Sequence, residues 1–218
     1  MNFLSFISKI LDYIYYRKCY LCSKKCVYIS VCKECLQDIY DNFSFQKNIV
    51  SGLTVYTGAV YEENLLKIIR ALKYHKKREF AVILSDIIFQ CIKNFNLDTK
   101  DFIICPVPVH NNRLKKRKYN HMELVGEELA KRLNLEIRSD YLKRVKDTAP
   151  LYKLTIPERK TAVTGAFIAS EEINGKKILL IDDIITSGTT IRELSEKIYT
   201  QHPAELMIIS ATRAKSFI

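Results

Sequence analysis

The sequence has little glycine and proline, six and five residues among 218, and no tract rich in Gly, Pro or Ser. Such tracts mark disordered arms and linkers, so their absence favours a chain that is folded throughout. With 48% hydrophobic and 27% charged residues the composition is that of a globular protein. The length suits one ordinary domain with a small appendage.

Two common phosphate-binding motifs are also missing. The chain has no G-x-x-x-x-G-K-[ST], which excludes a P-loop for nucleoside triphosphates, and no G-x-G-x-x-G for a dinucleotide. Positive charge is nevertheless in excess, with 35 Lys and Arg against 24 Asp and Glu and a formal net charge of +11. The surface therefore attracts anions. Phosphate esters, single-stranded nucleic acid and an anionic membrane surface all qualify, and so does a soluble basic protein without a specific polyanion.

The N-terminal stretch MNFLSFISKILDYIYYRKC does not resemble a targeting signal. Its charges fall late, at Lys9, Arg17 and Lys18, no small-residue cleavage site follows, and its apolar run is far shorter than the about 20 residues that span a bilayer. We therefore expect a cytoplasmic protein without a transmembrane segment. Apolar residues at i, i+3, i+4 and i+7 predict an amphipathic helix over residues 3–14, which packs on the protein itself or lies on a membrane surface or partner.

Five of the seven cysteines fall within residues 19–35. Two Cys-x-x-Cys pairs, Cys19 with Cys22 and Cys32 with Cys35, let two tight turns direct four thiolates at one ion, an arrangement that tetrahedral Zn²⁺ favours. Disulfides are the alternative, but they need an oxidising compartment. Cys26 either replaces one member of the set or is a free thiol. Four thiolates close the coordination sphere, so the predicted zinc is structural.

Helix and buried strand alternate through the second half of the chain. A loop is expected at 48–58, two helices meet near 75–78, a buried strand ends at the prolines 106 and 108, and a basic loop covers 110–119. A helix over 120–134, strands at 136–145, 165–170, 177–182 and 204–213, and a helix over 190–203 follow. This order predicts a doubly wound parallel α/β sheet, whose ligands bind beyond the carboxyl ends of its strands.

The stretch ILLIDDIITSGTT, residues 178–190, runs four aliphatic residues into two carboxylates. Asp182 and Asp183 are expected at the carboxyl end of a central strand. A turn of hydroxyls and one glycine then opens a helix, and Thr190 with Glu193 has capping-box spacing. Backbone N–H groups at such a turn bind an anion, and carboxylates beside it suit hydroxyls or Mg²⁺. The motif therefore predicts a sugar phosphate, with two solvated Asp residues before a capped helix as the alternative.

This motif resembles the phosphoribosyl diphosphate (PRPP) motif of type I phosphoribosyltransferases. Further matches narrow the resemblance to the ComF competence family: the paired Cys-x-x-Cys start, YTGAVYEENLLKIIRALKYHKKRE, CPVPVHNNRLKKRKYN, LTIPERKTAVTGAF and the trailing ATRA. The resemblance covers nearly the whole chain. It implies an N-terminal helix and zinc-binding segment over residues 1–47 and a type I phosphoribosyltransferase-like domain over residues 48–218.

The resemblance also implies the ligand contacts. Asp182 and Asp183 are expected to meet the ribose hydroxyls, and residues 144–159 to form a mobile loop over PRPP. The expected 5′-phosphate turn comprises Thr186, Ser187, Gly188, Thr189 and Thr190, and the expected pyrophosphate loop comprises Pro106, Val107 and Pro108. Basic candidates for diphosphate or nucleic acid are Arg113, Lys115, Lys116 and Arg117, with a solvated charged face as the alternative. No catalytic residue is assigned.

The chain departs from the family pattern at several positions. Where the family usually reads Arg-Gly-Phe-Asn-Gln, this sequence has RKYNH over residues 117–121, so that Lys118 replaces a glycine and His121 a glutamine. Leu151 replaces a usual Gln, and Ala162 a usual Asn. These changes affect polar contacts to an acceptor and leave the PRPP motif intact.

Three functions are compatible with the resemblance. The first is a PRPP-binding competence protein that acts in DNA uptake during natural transformation and binds single-stranded DNA, because aromatic and basic residues interleave in YIYYRKCY, KYHKKREF and KKRKYNH. Its implied partners include the competence DNA-uptake helicase or other transformation proteins, with peripheral membrane contact as an option, and its cofactors are structural zinc and Mg²⁺ with PRPP. The alternatives are an active phosphoribosyltransferase of unknown acceptor and a non-catalytic PRPP sensor.

Overall fold

The computed structural model describes residues 17–26, 30–148 and 156–214. The helix predicted over residues 3–14 lies outside them, as do residues 149–155 of the predicted mobile loop. Ten strands are described: β1 (Arg17–Lys18), β2 (Lys25–Cys26), β3 (Phe43–Val50), β4 (Leu53–Val60), β5 (Phe102–Pro106), β6 (Glu136–Ile137), β7 (Leu142–Arg144), β8 (Phe167–Ala169), β9 (Lys177–Ile185) and β10 (Glu205–Arg213). The described helices are α1 (Lys33–Asp41), α2 (Glu63–Tyr74), α3 (Ala81–Asn94), α4 (Asn111–Arg117), α5 (His121–Leu133), α6 (Ile156–Val163) and α7 (Thr189–Tyr199). Short 3₁₀ turns cover Arg78–Phe80 and Glu171–Ile173.

A six-stranded sheet in the order β3-β4-β10-β9-β5-β6 forms the centre of the fold. All its pairings are parallel except β3 with β4, so the sheet is mixed, with one antiparallel edge strand. The four aliphatic residues 178–181 of β9 are fully buried. They alternate between two cores: Leu179 and Ile181 face α2, α3 and α5, while Ile178 and Leu180 face α7. The predicted α/β fold with helices on both faces is therefore confirmed.

Three local predictions were wrong. The expected loop at 48–58 is the β3–β4 hairpin, whose two-residue turn, Ser51 and Gly52, has positive φ at both positions. The expected basic loop at 110–119 contains α4, because the side chain of His110 accepts a hydrogen bond from Asn112 N–H and caps a new helix. The single strand expected at 136–145 is split, since β6 joins the main sheet whereas β7 pairs with β8.

The cysteine-containing segment packs against the junction of α2 and α3. The Tyr20 hydroxyl lies 2.5 Å from His75 Nδ1, and the Tyr20 ring meets Phe80 edge to face at 5.6 Å. The Ser30 hydroxyl donates to Glu79 at 3.1 Å. The predicted domain boundary at residue 47 falls inside β3, and the division stays a prediction. Among the described residues, no helix is both long and apolar enough to cross a membrane.

Candidate PRPP site

Asp182 and Asp183 follow the buried run of β9, between β10 and β5 at the middle of the sheet. Both carboxylates are buried, with 9% and 3% of their residue surface exposed. The backbone N–H of Asp183 donates to Asp182 Oδ1 at 2.9 Å, and the Thr212 hydroxyl of β10 donates to the Asp183 carbonyl at 2.9 Å. Neighbouring strands therefore fix the backbone from which both carboxylates extend.

Two side chains contact the Asp183 carboxylate, one of them a cation. Lys73, at the end of α2, forms an ion pair with Asp183 Oδ2, and His121 Nε2 lies 2.8 Å from the same oxygen. Burial raises the pKa of a carboxyl group, but Lys73 and His121 outweigh burial and hold the pKa of Asp183 well below its usual range. Asp183 is therefore ionised at neutral pH.

His121 is a neutral donor in this cluster. Burial lowers its pKa below the ordinary value and outweighs the opposing effect of Asp183. Its Nδ1 lies 3.5 Å from Arg117 Nη1, and because a guanidinium has no acceptor, Nδ1 must accept that contact. The ring hydrogen is then on Nε2, directed at Asp183.

Asp182 behaves differently from its neighbour. Burial, and after it the charge of Asp183, raise the pKa of Asp182 to about 8, against the weaker opposing effects of Lys73 and Arg144. Asp182 therefore carries a proton near neutral pH. The adjacent carboxyl groups together hold one negative charge rather than two.

The turn after β9 leaves a helix end open to an anion. Helix α7 begins at Thr189 with Gly188 as its N-cap, and no side chain caps it. Its first backbone N–H groups thus have no side-chain acceptor, and the positive end of the helix dipole lies behind them. Thr186 and Thr190 line the cavity that also contains the two carboxylates, and the Ser187 and Thr189 hydroxyls lie 2.7 Å apart.

Two features require glycine at position 188: the backbone conformation and the side chain packed against it. The φ of Gly188 is +69°, a region that side chains with a Cβ disfavour, and a Cβ added there would lie 2.0 Å from Val50 Cγ1. Val50 is the last residue of β3, so the β3–β4 hairpin packs directly against the turn. The predicted phosphate turn therefore packs against a residue more than a hundred positions away in the sequence.

The capping box predicted for Thr190 and Glu193 was wrong. The N-cap is Gly188, two residues before the predicted Thr190, and Glu193 Oε1 accepts a hydrogen bond from Gly165 N–H at 2.6 Å. Glu193 is buried, and this bond connects α7 to the turn before β8. Because Glu193 is engaged elsewhere, the N-terminus of α7 stays open to a ligand.

The predicted pyrophosphate loop follows β5, the strand next to β9. Pro106 ends β5, and the backbone N–H of Val107 donates to the Ile181 carbonyl at 3.0 Å. The Asn120 side chain donates to the Val107 carbonyl at 3.2 Å. Val107 and Pro108 line the same cavity as Asp182. The loop is thus held against β9 on one side and α5 on the other.

The cavity that joins these groups has a volume of about 180 Å³ and is bordered by arginines. Arg113 and Arg117, four residues apart on α4, and the buried Arg144 of β7 all line it. Burial lowers the pKa of Arg144 to about 10, which leaves its side chain cationic at neutral pH. Of the other predicted cations, Lys116 lines an adjoining cavity of about 400 Å³, whereas Lys115 lines neither.

Lys73 and His121 are site residues that the sequence motifs do not predict. Lys73 belongs to a periodic helical stretch, in which a lysine is ordinarily a solvated residue. His121 was noted only as a departure from the family pattern at the start of α5. Only the packing of α2 and α5 beside β9 places both side chains against Asp183.

The four cysteines of the two Cys-x-x-Cys pairs lie together. The sulfur atoms of Cys19, Cys22, Cys32 and Cys35 are all within 4.8 Å of one another. Four thiolates at this spacing are a donor set that fits a tetrahedral zinc ion. Cys26 is outside the cluster, where its thiol donates to the Arg17 carbonyl at 3.3 Å.

Comparison with known proteins agrees with this geometry. Residues 123–215 match the model of the phosphoribosyl transferase domain, a stretch that includes β9, the phosphate turn and α7. Competence protein F of Haemophilus influenzae is 26% identical over 194 residues, which cover 86% of this chain and 80% of that protein. The chain is a homologue of competence protein F. The predicted resemblance to the ComF competence family is confirmed.

Other relatives are less completely covered. The DNA utilization protein YhgH of Escherichia coli K12 is 25% identical over 156 residues, 70% of this chain and 68% of that protein. Among solved structures, a hypoxanthine phosphoribosyltransferase of Trypanosoma cruzi has 15% identity and a TM-score of 0.34, over 61% of this chain and 65% of that one. A hypoxanthine-guanine phosphoribosyltransferase of Bacillus anthracis has 14% identity and a TM-score of 0.36, over 61% and 66%. Both structural likenesses span less than two thirds of either chain.

Proposed function

We propose that this homologue of competence protein F binds PRPP with Mg²⁺ and acts in the cytoplasm in DNA uptake during natural transformation, where it binds single-stranded DNA. The observation that carries the PRPP assignment is the shared cavity: buried carboxylates, an uncapped helix N-terminus and three arginines all face it. The printed names of the relatives, competence protein F and DNA utilization protein, support the role in DNA uptake.

Each part of PRPP has a chemically suited partner in the cavity. The turn at the start of α7 offers N–H groups and hydroxyls to the 5′-phosphate. Asp182 and Asp183 offer oxygen atoms to the ribose hydroxyls. Arg113, Arg117 and the loop at 106–108 border the space left for the diphosphate.

The residues present also fit Mg²⁺. This ion prefers one or two carboxylates together with substrate phosphates, and two carboxyl groups line the cavity proposed for the diphosphate. When bound, Mg²⁺ neutralises charge on the diphosphate. A zinc ion held by the four clustered cysteines would stabilise the segment that packs on α2 and α3.

Isothermal titration with Mg²⁺ and PRPP tests the PRPP assignment. Wild-type protein is expected to bind, and Asp183→Asn to bind at least tenfold more weakly, because the substitution removes the charge that Lys73 and His121 orient. Asp140→Asn is the matched control: Asp140 also pairs with an arginine, Arg138, but lies outside the cavity. Equal affinity of the two variants would refute the site, as would absence of binding to wild type.

A phosphoribosyltransferase reaction is the second candidate. The adjoining cavity of about 400 Å³ shares Lys73, Arg113 and Arg117 with the proposed PRPP cavity, so an acceptor in it would lie next to PRPP. Release of pyrophosphate from PRPP in the presence of a nucleobase or single-stranded DNA would establish transfer. PRPP binding without release under those conditions would favour a sensor.

A further inference from the structure

The cavity of about 400 Å³ lies between the C-terminal end of α2 and the length of α4. Its volume is within the range of small-ligand sites, roughly 300 to 1,000 Å³. It shares four lining residues, Lys73, Tyr74, Arg113 and Arg117, with the proposed PRPP cavity. A ligand held here would touch the same walls as PRPP.

An aromatic ring stands exposed at this cavity. Tyr74, the last residue of α2, is 54% exposed, and the Arg117 guanidinium lies 4.8 Å from its ring centroid. Tyr119 contributes a buried wall, since its hydroxyl donates to the Leu72 carbonyl at 2.6 Å. The Arg78 guanidinium lies 4.6 Å from the Tyr119 ring. The cavity thus combines a buried tyrosine in its wall with an exposed tyrosine ring that a guanidinium contacts.

The charge of the cavity is strongly positive. Lys76 and Lys116 line it, and neither forms an ion pair with any of the described residues. The one carboxylate in the lining, Asp147, accepts a hydrogen bond from Asn112 at 2.6 Å. Two unpaired lysines therefore remain available to a ligand with negative charge.

Lys76 occupies a backbone position that disfavours it. Its φ is +56°, the left-handed region that glycine and asparagine tolerate best. A lysine near a helix C-terminus improves the interaction with the helix dipole, but Lys73 in the last turn of α2 already provides that effect. Interaction with the dipole alone therefore does not account for a lysine at this position.

We infer that this cavity is a nucleotide subsite, in which one unpaired base of single-stranded DNA stacks on Tyr74 while the adjoining phosphates contact Lys76 and Lys116. This inference rests on the proposed function, because it specifies where the DNA meets the PRPP site. An aromatic platform beside backbone-neutralising cations is the combination by which proteins hold single strands.

The chemistry favours a single-stranded nucleotide over other ligands. A free nucleobase carries no negative charge for the two unpaired lysines to bind, and inorganic phosphate has no flat face to stack on the exposed ring. In a duplex, the faces of the bases are covered by their neighbours, so Tyr74 has nothing to stack on. A nucleotide of a single strand offers both a base face and flanking phosphates.

Fluorescence anisotropy with a labelled ten-nucleotide oligothymidine tests the ring. Tyr74→Ala is expected to raise Kd about 5- to 150-fold, the range for loss of one base stack, while Tyr74→Phe keeps the platform and stays within about threefold. Tyr199→Ala is the matched control, because Tyr199 also ends a helix and is 50% exposed, but it lies away from the cavity. Its Kd should equal that of wild type.

Lys76→Asn tests the charge without a folding penalty. Asparagine tolerates the left-handed conformation, so the melting temperature should not fall, while the salt dependence of oligothymidine binding should lose about one counterion. Lys118→Asn is the control: Lys118 has φ +69° but does not line the cavity. A lower melting temperature with an unchanged salt slope would show that Lys76 is structural, and would overturn its role.

The outcomes separate this inference from the proposed function. If wild type binds the oligothymidine but Tyr74→Ala binds as tightly as Tyr199→Ala, the subsite is wrong and DNA binding stands. If wild type does not bind the oligothymidine, both fail. A PRPP titration of Lys76→Asn, whose side chain lines this cavity but not the proposed PRPP cavity, should give the wild-type Kd within about threefold. A loss of PRPP affinity as large as the loss of DNA affinity would overturn the separate subsite.

Discussion

Substitution of Gly188 by alanine is the sharpest test of how the phosphate turn is built. The added Cβ has two separate effects: it must adopt φ +69°, and it would lie 2.0 Å from Val50 Cγ1. A side chain with a Cβ in the left-handed region costs about 1–2 kcal/mol. Overpacking a close-packed contact costs about 1–3 kcal/mol more. We therefore expect Gly188→Ala to lower the free energy of unfolding by about 2–5 kcal/mol.

Gly175→Ala isolates the backbone effect. Gly175 has φ +68°, and an added Cβ there meets nothing within 4 Å. It should lower the free energy of unfolding by only about 1–2 kcal/mol. Urea denaturation of both variants then gives the steric effect as a difference of about 1–3 kcal/mol.

Combining Gly188→Ala with Val50→Ala tests whether the contact between these two residues causes that difference. Removing Cγ1 of Val50 leaves room for the new Cβ, so the double variant should show a favourable coupling energy of about 1–3 kcal/mol. PRPP affinity should fall in Gly188→Ala, because the turn must shift, and recover in part in the double variant. Equal unfolding free energies for Gly188→Ala and Gly175→Ala, or a coupling energy near zero, would refute the packing argument.

Two further predictions concern the metal segment and pH. Native mass spectrometry should find one zinc ion per chain in wild type and in Cys26→Ser, but none in Cys22→Ser, which should also melt at a lower temperature. The reason is that Cys22 belongs to the four-cysteine cluster and Cys26 does not. Zinc loss in Cys26→Ser would contradict the ligand set. PRPP affinity in the presence of Mg²⁺ should rise with pH up to about 8, the pKa of Asp182 in the folded protein, because a protonated carboxyl group must lose its proton to meet a cation. The rise approaches tenfold per pH unit below that pKa. Asp182→Asn should flatten this profile between about pH 7 and 8, where the phosphate groups of PRPP are already ionised, and an unchanged profile in that variant would exclude Asp182 as its source.

The α/β fold and the place of Asp182 and Asp183 after a buried strand could be predicted from the sequence, because both follow from local hydrophobic patterns. The run of residues 178–181 is buried on both faces of the sheet, and such a strand reads as continuous aliphatic sequence. The hairpin of β3 and β4 was missed, although Ser51 and Gly52 form its turn, because a Ser-Gly turn is a weaker signal than Asn-Gly. Capping was misjudged because Glu193 has the right spacing for Thr190 but bonds to Gly165, which only the tertiary fold brings near.

The departure from the family pattern at residues 117–121 gains a physical meaning in the structure. Lys118 has φ +69°, a left-handed conformation that a glycine adopts without the cost of a Cβ. His121, in the place of a usual glutamine, donates from Nε2 to Asp183, a hydrogen bond that a glutamine amide can also form. The backbone conformation therefore explains the departure at residue 118, and the contact with Asp183 explains the one at residue 121.

The charge balance of the cavity explains how an acidic pair can belong to the proposed phosphate site. Asp182 is protonated near neutral pH and Asp183 is matched by Lys73, so the pair adds no net negative charge to the ligand-free cavity. Three arginines then leave the cavity positive, which attracts a ligand with several phosphates. A bound cation reverses the balance at Asp182, because a nearby positive charge favours its ionised form. PRPP and Mg²⁺ should consequently bind with positive cooperativity, and the proton released from Asp182 would appear as a buffer-dependent enthalpy in the titration.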